Sequence, residues 1–154
     1  MTPREAELYA LVHDGAPGDI AFYREQTRGA ARVLELGSGW GRVASQLECH
    51  EVIGLELDPS MRALGAARHA ELRIVPGDMR AFALGSFDRI IVPFTGIYCL
   101  PTEEDVSRCL RCARASLTPE GRFILDAYAA DSFHQEARPE DYPEDHLDEI
   151  ARIE

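Results

Sequence analysis

Residues 35–41 read ELGSGWG, and the reading of this stretch decides the fold. It follows residues 31–36, ARVLEL, an apolar run with the composition of a short buried strand. Residues 41–48, GRVASQLE, come next and have helical spacing. Gly37, Gly39 and Gly41 therefore stand at a turn from a strand into a helix. Glycine lets a backbone turn sharply and lets a ligand approach where a Cβ would otherwise stand. In a doubly wound sheet that turn lies at the carboxyl end of the first strand, where ligands bind.

Strand-like and helix-like segments alternate outward from it. EVIGLEL (51–57) reads as a second strand. DPSMRALGAARH (58–69) opens as a helix, with Asp58 as N-cap and Pro59 at the first helical position. LRIVPGD (72–78) and FDRIIVPF (87–94) give a third and a fourth strand. PTEEDVSRCLRCARASL (101–117) is a long helix, started by Thr102 and Asp105 as an imperfect capping box. TPEG (118–121) reads as a turn and RFILDAY (122–128) as a fifth strand. Ahead of all this, residues 4–28 read as two helices broken at DGAPGD. The alternation predicts parallel βαβ units, hence an α/β, doubly wound, mostly parallel sheet.

Composition narrows the partners. The chain has 154 residues and a formal charge of −11, a field that repels phosphate backbones and argues against nucleic acid. Eight acids and two bases between Gln135 and Glu154 carry much of that charge. No apolar signal core or membrane-length run is present, so a cytoplasmic protein without membrane contact is expected. Cys109 and Cys112 fall on one face of the long helix and have no second pair at metal-ligand spacing. They read as buried or half-buried helix cysteines, Cys49 and Cys99 are read in the same way, and no metal is expected.

The glycine turn is unsuited to phosphates. A dinucleotide fingerprint requires a third glycine where this chain has Arg42, and no G-K-[ST] follows. Glu35, at the mouth of the turn, would repel a pyrophosphate but help receive a cationic amino group.

VLELGSGWGR resembles the first motif of class I S-adenosylmethionine-dependent methyltransferases of small-molecule type. VIGLELD, VPGDMRAF, FDRIIVPFTGIYCL and RASLTPEGRFILDAY are similar to that family's later motifs, in order and spacing, over roughly residues 22–128. The resemblance implies a Rossmann-like fold and S-adenosyl-L-methionine as cofactor. It implies N- or O-methyl transfer to a small-molecule acceptor. Residue by residue, it implies a cofactor cradle of Glu35, Gly37, Ser38, Gly39 and Gly41. Glu56 is then expected to grip the ribose hydroxyls with Leu57 beside it, and Asp78 to hold the adenine amino group with Met79 against the ring. Pro93 is expected to complete the set, and Tyr23, ahead of Tyr9, to touch the cofactor carboxylate. Phe82 reads mainly as core, and Trp40 stands where the family often has a small residue.

No catalytic base is legible. Thr95, Tyr98, Asp126, Tyr128, His13 and His134 are the polar candidates near the expected site. The resemblance implies seven strands ordered 3-2-1-4-5-7-6, of which this chain supplies five. Residues 1–30 are thus expected as a helical lid, 31–130 as the cofactor domain, and 131–154 as an acidic tail or the start of a missing C-terminal part. A chain lacking the last strands would expose the edge of strand five and invite a homodimer there. The alternative is a non-catalytic or partial cofactor-binding module that needs a partner chain or the missing segment.

Overall fold

The computed structural model describes residues 1–127. The acidic tail, Tyr128 and His134 lie outside the described residues, and so does any sixth strand in DHLDEIARIE.

Helix α1 (Pro3–Val12) starts on a full capping box, in which Thr2 accepts the N–H of Glu5 and Glu5 accepts that of Thr2. After the break come α2 (Asp19–Thr27) and the first strand, β1 (Arg32–Leu36). Then follow β2 (Glu51–Glu56), α3 (Pro59–Arg68), β3 (Arg73–Pro76), β4 (Phe87–Val92), α4 (Glu103–Ala115) and β5 (Leu117–Leu125). The two expected caps form. Asp58 accepts the N–H groups of Ser60 and Met61, and Thr102 accepts that of Asp105.

The five strands pair in parallel in the order β3-β2-β1-β4-β5. The order reverses between β1 and β4, and that switch point opens a crevice beyond the carboxyl ends of the strands. One sheet face buries Leu34, Leu36, Ile53, Leu55, Ile90 and Val92 in a cluster that takes in Cys109 and Ala113 of α4. The other face buries Val33 and Ile91 with Tyr23 of α2. Alternate residues of β1 and β4 thus serve opposite cores, as period-2 side-chain geometry requires. Both faces are covered, and the sheet is doubly wound.

Two expectations fail locally. Residues 41–48 do not form an α-helix and hold only a 3₁₀ turn, Ala44–Gln46. Gly41 sits at φ +84°, outside the helical region, and Leu47 is already extended on the way to β2. TPEG is not a free turn but part of β5. Its presence shows as a bulge: Phe87 pairs with Leu117 and Arg89 with Arg122, so the extra residues of β5 arch out of the ladder. The outer edge of β5 has no partner strand among the described residues.

Candidate functional site

Two adjoining cavities open at the switch point. The larger, about 550 Å³, has the size of a small-molecule site. Gly37, Gly39, Glu56, Leu57, Asp78 and Met79 line it. The smaller, about 70 Å³, is lined by Glu35, Ser38, Trp40 and Pro93. Gly37, Gly39 and Tyr9 border both.

The three glycines do different things. All have positive φ. A Cβ on Gly39 would meet no protein atom within 4 Å, so it would project into open space at the junction of the cavities. A Cβ on Gly41 would stand 2.4 Å from Leu72 Cδ2, and Gly41 lines neither cavity. Gly41 therefore packs the turn onto the protein, and the structure does not bring it to the cleft. Ser38 is buried in the space left by Gly54, where a Cβ would lie 2.5 Å from its Oγ.

Glu35 is 3% exposed. Its carboxyl lies in the field of the Ala44 backbone N–H, but Oε2 has no hydrogen-bond partner among the described residues. Burial pushes its pKa up to about 8, and the Ala44 N–H and Arg42 pull the other way. A buried carboxyl oxygen left without a donor is costly and uncommon. Glu35 lines the small cavity, and a carboxyl there has the chemistry to accept a cationic amino group.

Glu56 ends β2, where its Oε2 accepts the N–H of Gly39 at 2.8 Å and its Oε1 that of Asp58 at 2.7 Å. It ties the glycine turn to the start of α3 and still carries free lone pairs, enough for a vicinal diol. Asp58 is occupied as the N-cap of α3 and in an ion pair with the amino terminus of Met1. Asp78 lines the cleft but is already engaged: Arg80 reaches it through Nη2 at 2.6 Å and Nε at 3.0 Å, and also binds Asp105. The Arg80 guanidinium holds the Asp78 carboxyl below the usual range.

The structure reverses the order of the two tyrosines. Tyr9 borders both cavities and stacks on His13. Tyr23 lines neither; it is fully buried and donates to Asp126. Its position in a helix with little amphipathic signal hid that role. Phe82 packs against the core, as expected. Trp40 both lines the small cavity and stacks on His69, with the Arg68 guanidinium over its ring. Cys109 and Cys112 are buried and half-buried on α4, and Cys49 is half-buried, but Cys99 is exposed on the cleft wall, contrary to expectation. It sits on a 3₁₀ turn, Gly96–Cys99, rather than in a core-facing element.

Sequence reasoning missed Arg42, Phe94 and Arg80. Arg42 pairs with Asp19, and its guanidinium lies over the Phe94 ring beside the small cavity. Arg80 had a legible signal, since it follows Asp78 by two residues. Phe94 had none: its φ of 54°, shared with Thr95 at 53°, is a conformation that non-glycine residues rarely take and that costs roughly 1–3 kcal/mol each.

Comparison with known proteins fits this geometry. The model of a family described as a methyltransferase domain matches residues 34–125. The chain is 30% identical over 134 residues to the dTDP-3-amino-3,6-dideoxy-alpha-D-glucopyranose N,N-dimethyltransferase of Streptomyces fradiae, covering 80% of this chain and 52% of the relative. It superposes with TM-score 0.67 and 30% identity on a SAM-bound amino pentose methyltransferase of Micromonospora echinaspora involved in calicheamicin biosynthesis, covering 84% of this chain and 57% of the other. A glycopeptide N-methyltransferase complexed with (S)-adenosyl-L-methionine gives TM-score 0.68 at 28% identity, with 83% and 60% covered. The chain spans about half the length of the curated relatives it matches.

Proposed function

The chain belongs to the methyltransferase domain family, and from that premise we propose that it transfers a methyl group from S-adenosylmethionine to an amine on a small sugar-like acceptor. The observation that carries the reading is the unpartnered, buried Oε2 of Glu35 beside the open face of Gly39. That pair supplies a charge for the cofactor's amino group and room for its backbone approach. Glu56 would take the ribose hydroxyls, and Leu57 and Met79 would pack on the adenine, near Asp78. Ser38 and Pro93 close the small cavity around the amino-acid end. Two carboxylates flanking the turn suit a sulfonium and an ammonium, and they disfavour pyrophosphate.

When bound, S-adenosylmethionine supplies an activated methyl group. The chain's own contribution is proximity and alignment, which can be worth several kcal/mol of barrier. Tyr9 and Met1 reach the cleft wall, and we read α1 and α2 as a lid that excludes water. The amine acceptor follows from the relatives, whose names specify N-methylation of amino sugars. No helix among the described residues is long and apolar enough to cross a membrane, and all four cysteines are unpaired, which fits a reducing compartment such as the cytoplasm. The outer edge of β5, which has no partner strand among the described residues, supports self-association, which sedimentation at several concentrations tests.

Calorimetry with S-adenosylhomocysteine tests the cofactor, with binding expected; its absence overturns the reading. A transfer assay on amino-sugar nucleotides then tests the acceptor. Tight cofactor binding without transfer would favour a partial module that needs further chain, a reading supported by the half-length match to the relatives.

A further inference from the structure

Phe94 and Thr95 hold successive left-handed conformations, and a single side chain grips both. Asp126, just beyond β5, accepts the N–H of Phe94 on Oδ1 at 2.7 Å and that of Thr95 on Oδ2 at 2.8 Å. The hydroxyl of Tyr23 donates to the same Oδ1 at 2.5 Å. Burial, and then the hydrogen bond to Asp126, raise the Tyr23 pKa, so the phenol keeps its proton and remains the donor. We infer that Asp126 is a positioning residue: its carboxylate clamps the peptides of Phe94 and Thr95 and thereby holds the wall shared by the two cavities in shape.

The clamp sits at a junction. Pro93 and Phe94, on one side, line the small cavity beside Glu35. Gly96, Cys99 and Leu100, on the other, line the large one. The left-handed turn between them lets one short loop face both. Its strain needs an outside hold, because nothing in the loop's residue types favours it; threonine is β-branched and Phe94 is bulky. A carboxylate suits the task because it accepts from all directions. An amide would turn an N–H₂ toward one of the donors.

The same grip aims the Phe94 ring. That ring meets the His13 ring edge-on at 6.0 Å between centroids and lies under the Arg42 guanidinium. Arg42 in turn binds Asp19 and the carbonyl of Asp14, in the segment between the two N-terminal helices. A hold on the backbone after β4 thus extends to the elements that cover the cleft. As a candidate proton acceptor, which the sequence also allowed, Asp126 is poorly placed, since it lines neither cavity.

What the clamped cavity holds rests on the proposed function; the clamp itself does not. The full chain carrying Asp126→Asn is compared with wild type and with Asp126→Asn/Thr95→Gly. Hydrogen exchange at the Phe94 and Thr95 amides should accelerate in Asp126→Asn. The dissociation constant for S-adenosylhomocysteine should rise about tenfold, as for the loss of a charge-assisted hydrogen bond. Glycine takes positive φ without penalty, so Thr95→Gly in that background should win back melting temperature and part of the binding. A merely structural loss would not be rescued by removing a side chain from the loop. Unchanged exchange in Asp126→Asn, or a double variant no better than the single, overturns the clamp. If Asp126→Asn does not fold, Tyr23→Phe decides: it should speed exchange at the same two amides, and unaltered rates overturn the inference. If wild type fails to bind S-adenosylhomocysteine, the proposed function falls, while exchange and rescue still judge Asp126.

Discussion

The two ends of the cleft carry acids of the same kind in opposite states. Glu35, at the glycine turn, is buried with an oxygen that no group among the described residues satisfies. Asp78, at the far end, is half-exposed and saturated by Arg80, which Asp105 holds in turn. Both follow from strand ends, and both look alike as letters in a motif. The difference lies in the neighbours: an apolar sheet interior in one case, a guanidinium two residues away in the other. A site that leaves a buried acid unpaired stores free energy that a ligand can release. A site whose acid is already paired must first give something up. On the proposed reading, the cofactor's hold should therefore be strong at the glycine turn and weak at the end assigned to adenine.

The most severe test of that contrast lies between the two ends. Gly39→Val places a branched side chain in the open space at the cavity junction and forces φ +56° on a residue that disfavours it. Calorimetry should show no S-adenosylhomocysteine binding, with the circular dichroism of a folded domain retained. Gly41→Val should differ in kind. Its Cβ strikes Leu72, so the loss should appear in melting temperature, by several degrees or more, as for overpacking that costs about 1–3 kcal/mol. If both variants lose binding at equal stability, the division of labour among the glycines is wrong.

Glu35 comes next, and its effect depends on pH. Its pKa of about 8 in the folded chain lies above the ordinary carboxyl value. The folded state then binds more protons than the unfolded state between those two values, so the empty protein should lose stability as pH rises from about 4.5 to 8. Glu35→Gln should flatten that slope, which melting curves from pH 5 to 8 would register. A cationic amino group needs the ionised form. Binding at pH 7 should therefore expel close to one proton, measurable by calorimetry in buffers of differing ionisation heat. In Glu35→Gln the proton release should vanish and affinity fall roughly 10- to 100-fold, in line with a charged hydrogen bond in a buried setting. Binding without proton release in wild type would mean that Glu35 does not meet the amino group.

How much of this was legible follows the same physical line. Parallel βαβ order could be read because buried strands leave continuous apolar runs and helices leave caps such as Asp58 and Thr102. The cleft wall could be read because Gly39, Glu56 and Asp78 lie at strand ends fixed by that order. The helix expected at residues 41–48 could not be rejected, since its spacing is helical and only the φ of Gly41 and the short return to β2 prevent it. Tyr23 and Asp126 are 103 residues apart, and no local pattern announces a contact of that range. Backbone conformations such as that of Thr95 are held by partners elsewhere in the fold, so their own letters are silent about them.

Glu56→Ala should have an intermediate effect. It removes the group assigned to the ribose and also frees the N–H of Gly39 and that of Asp58. Affinity for S-adenosylhomocysteine should drop at least tenfold, as expected for charge-assisted bonds of about 1.5–3 kcal/mol. The 2′-deoxy analogue separates the two roles. If Glu56 grips the diol, wild type should discriminate against that analogue and Glu56→Ala should not. Equal discrimination in both proteins would leave Glu56 as a brace for the turn alone.

The smallest effect is expected at Asp78, and it is the one that sharpens the contrast most. A free carboxylate aimed at the adenine amino group would be worth tenfold or more. A carboxylate shared with a half-exposed arginine gains less, because the ligand must compete with an existing ion pair of modest strength. Asp78→Ala should therefore weaken S-adenosylhomocysteine by roughly threefold, and Arg80→Ala, which frees Asp78, should leave affinity equal or improve it by a similar factor. The inosine-based analogue lacks the amino donor. Wild type should distinguish it from the adenine form only slightly, and Arg80→Ala should distinguish it more, because the released carboxylate can then turn to the base. A loss of tenfold or more in Asp78→Ala would mean that the Arg80 pair opens when the cofactor enters. The two ends of the cleft would then hold the cofactor with equal strength, and the difference between Glu35 and Asp78 would not survive binding.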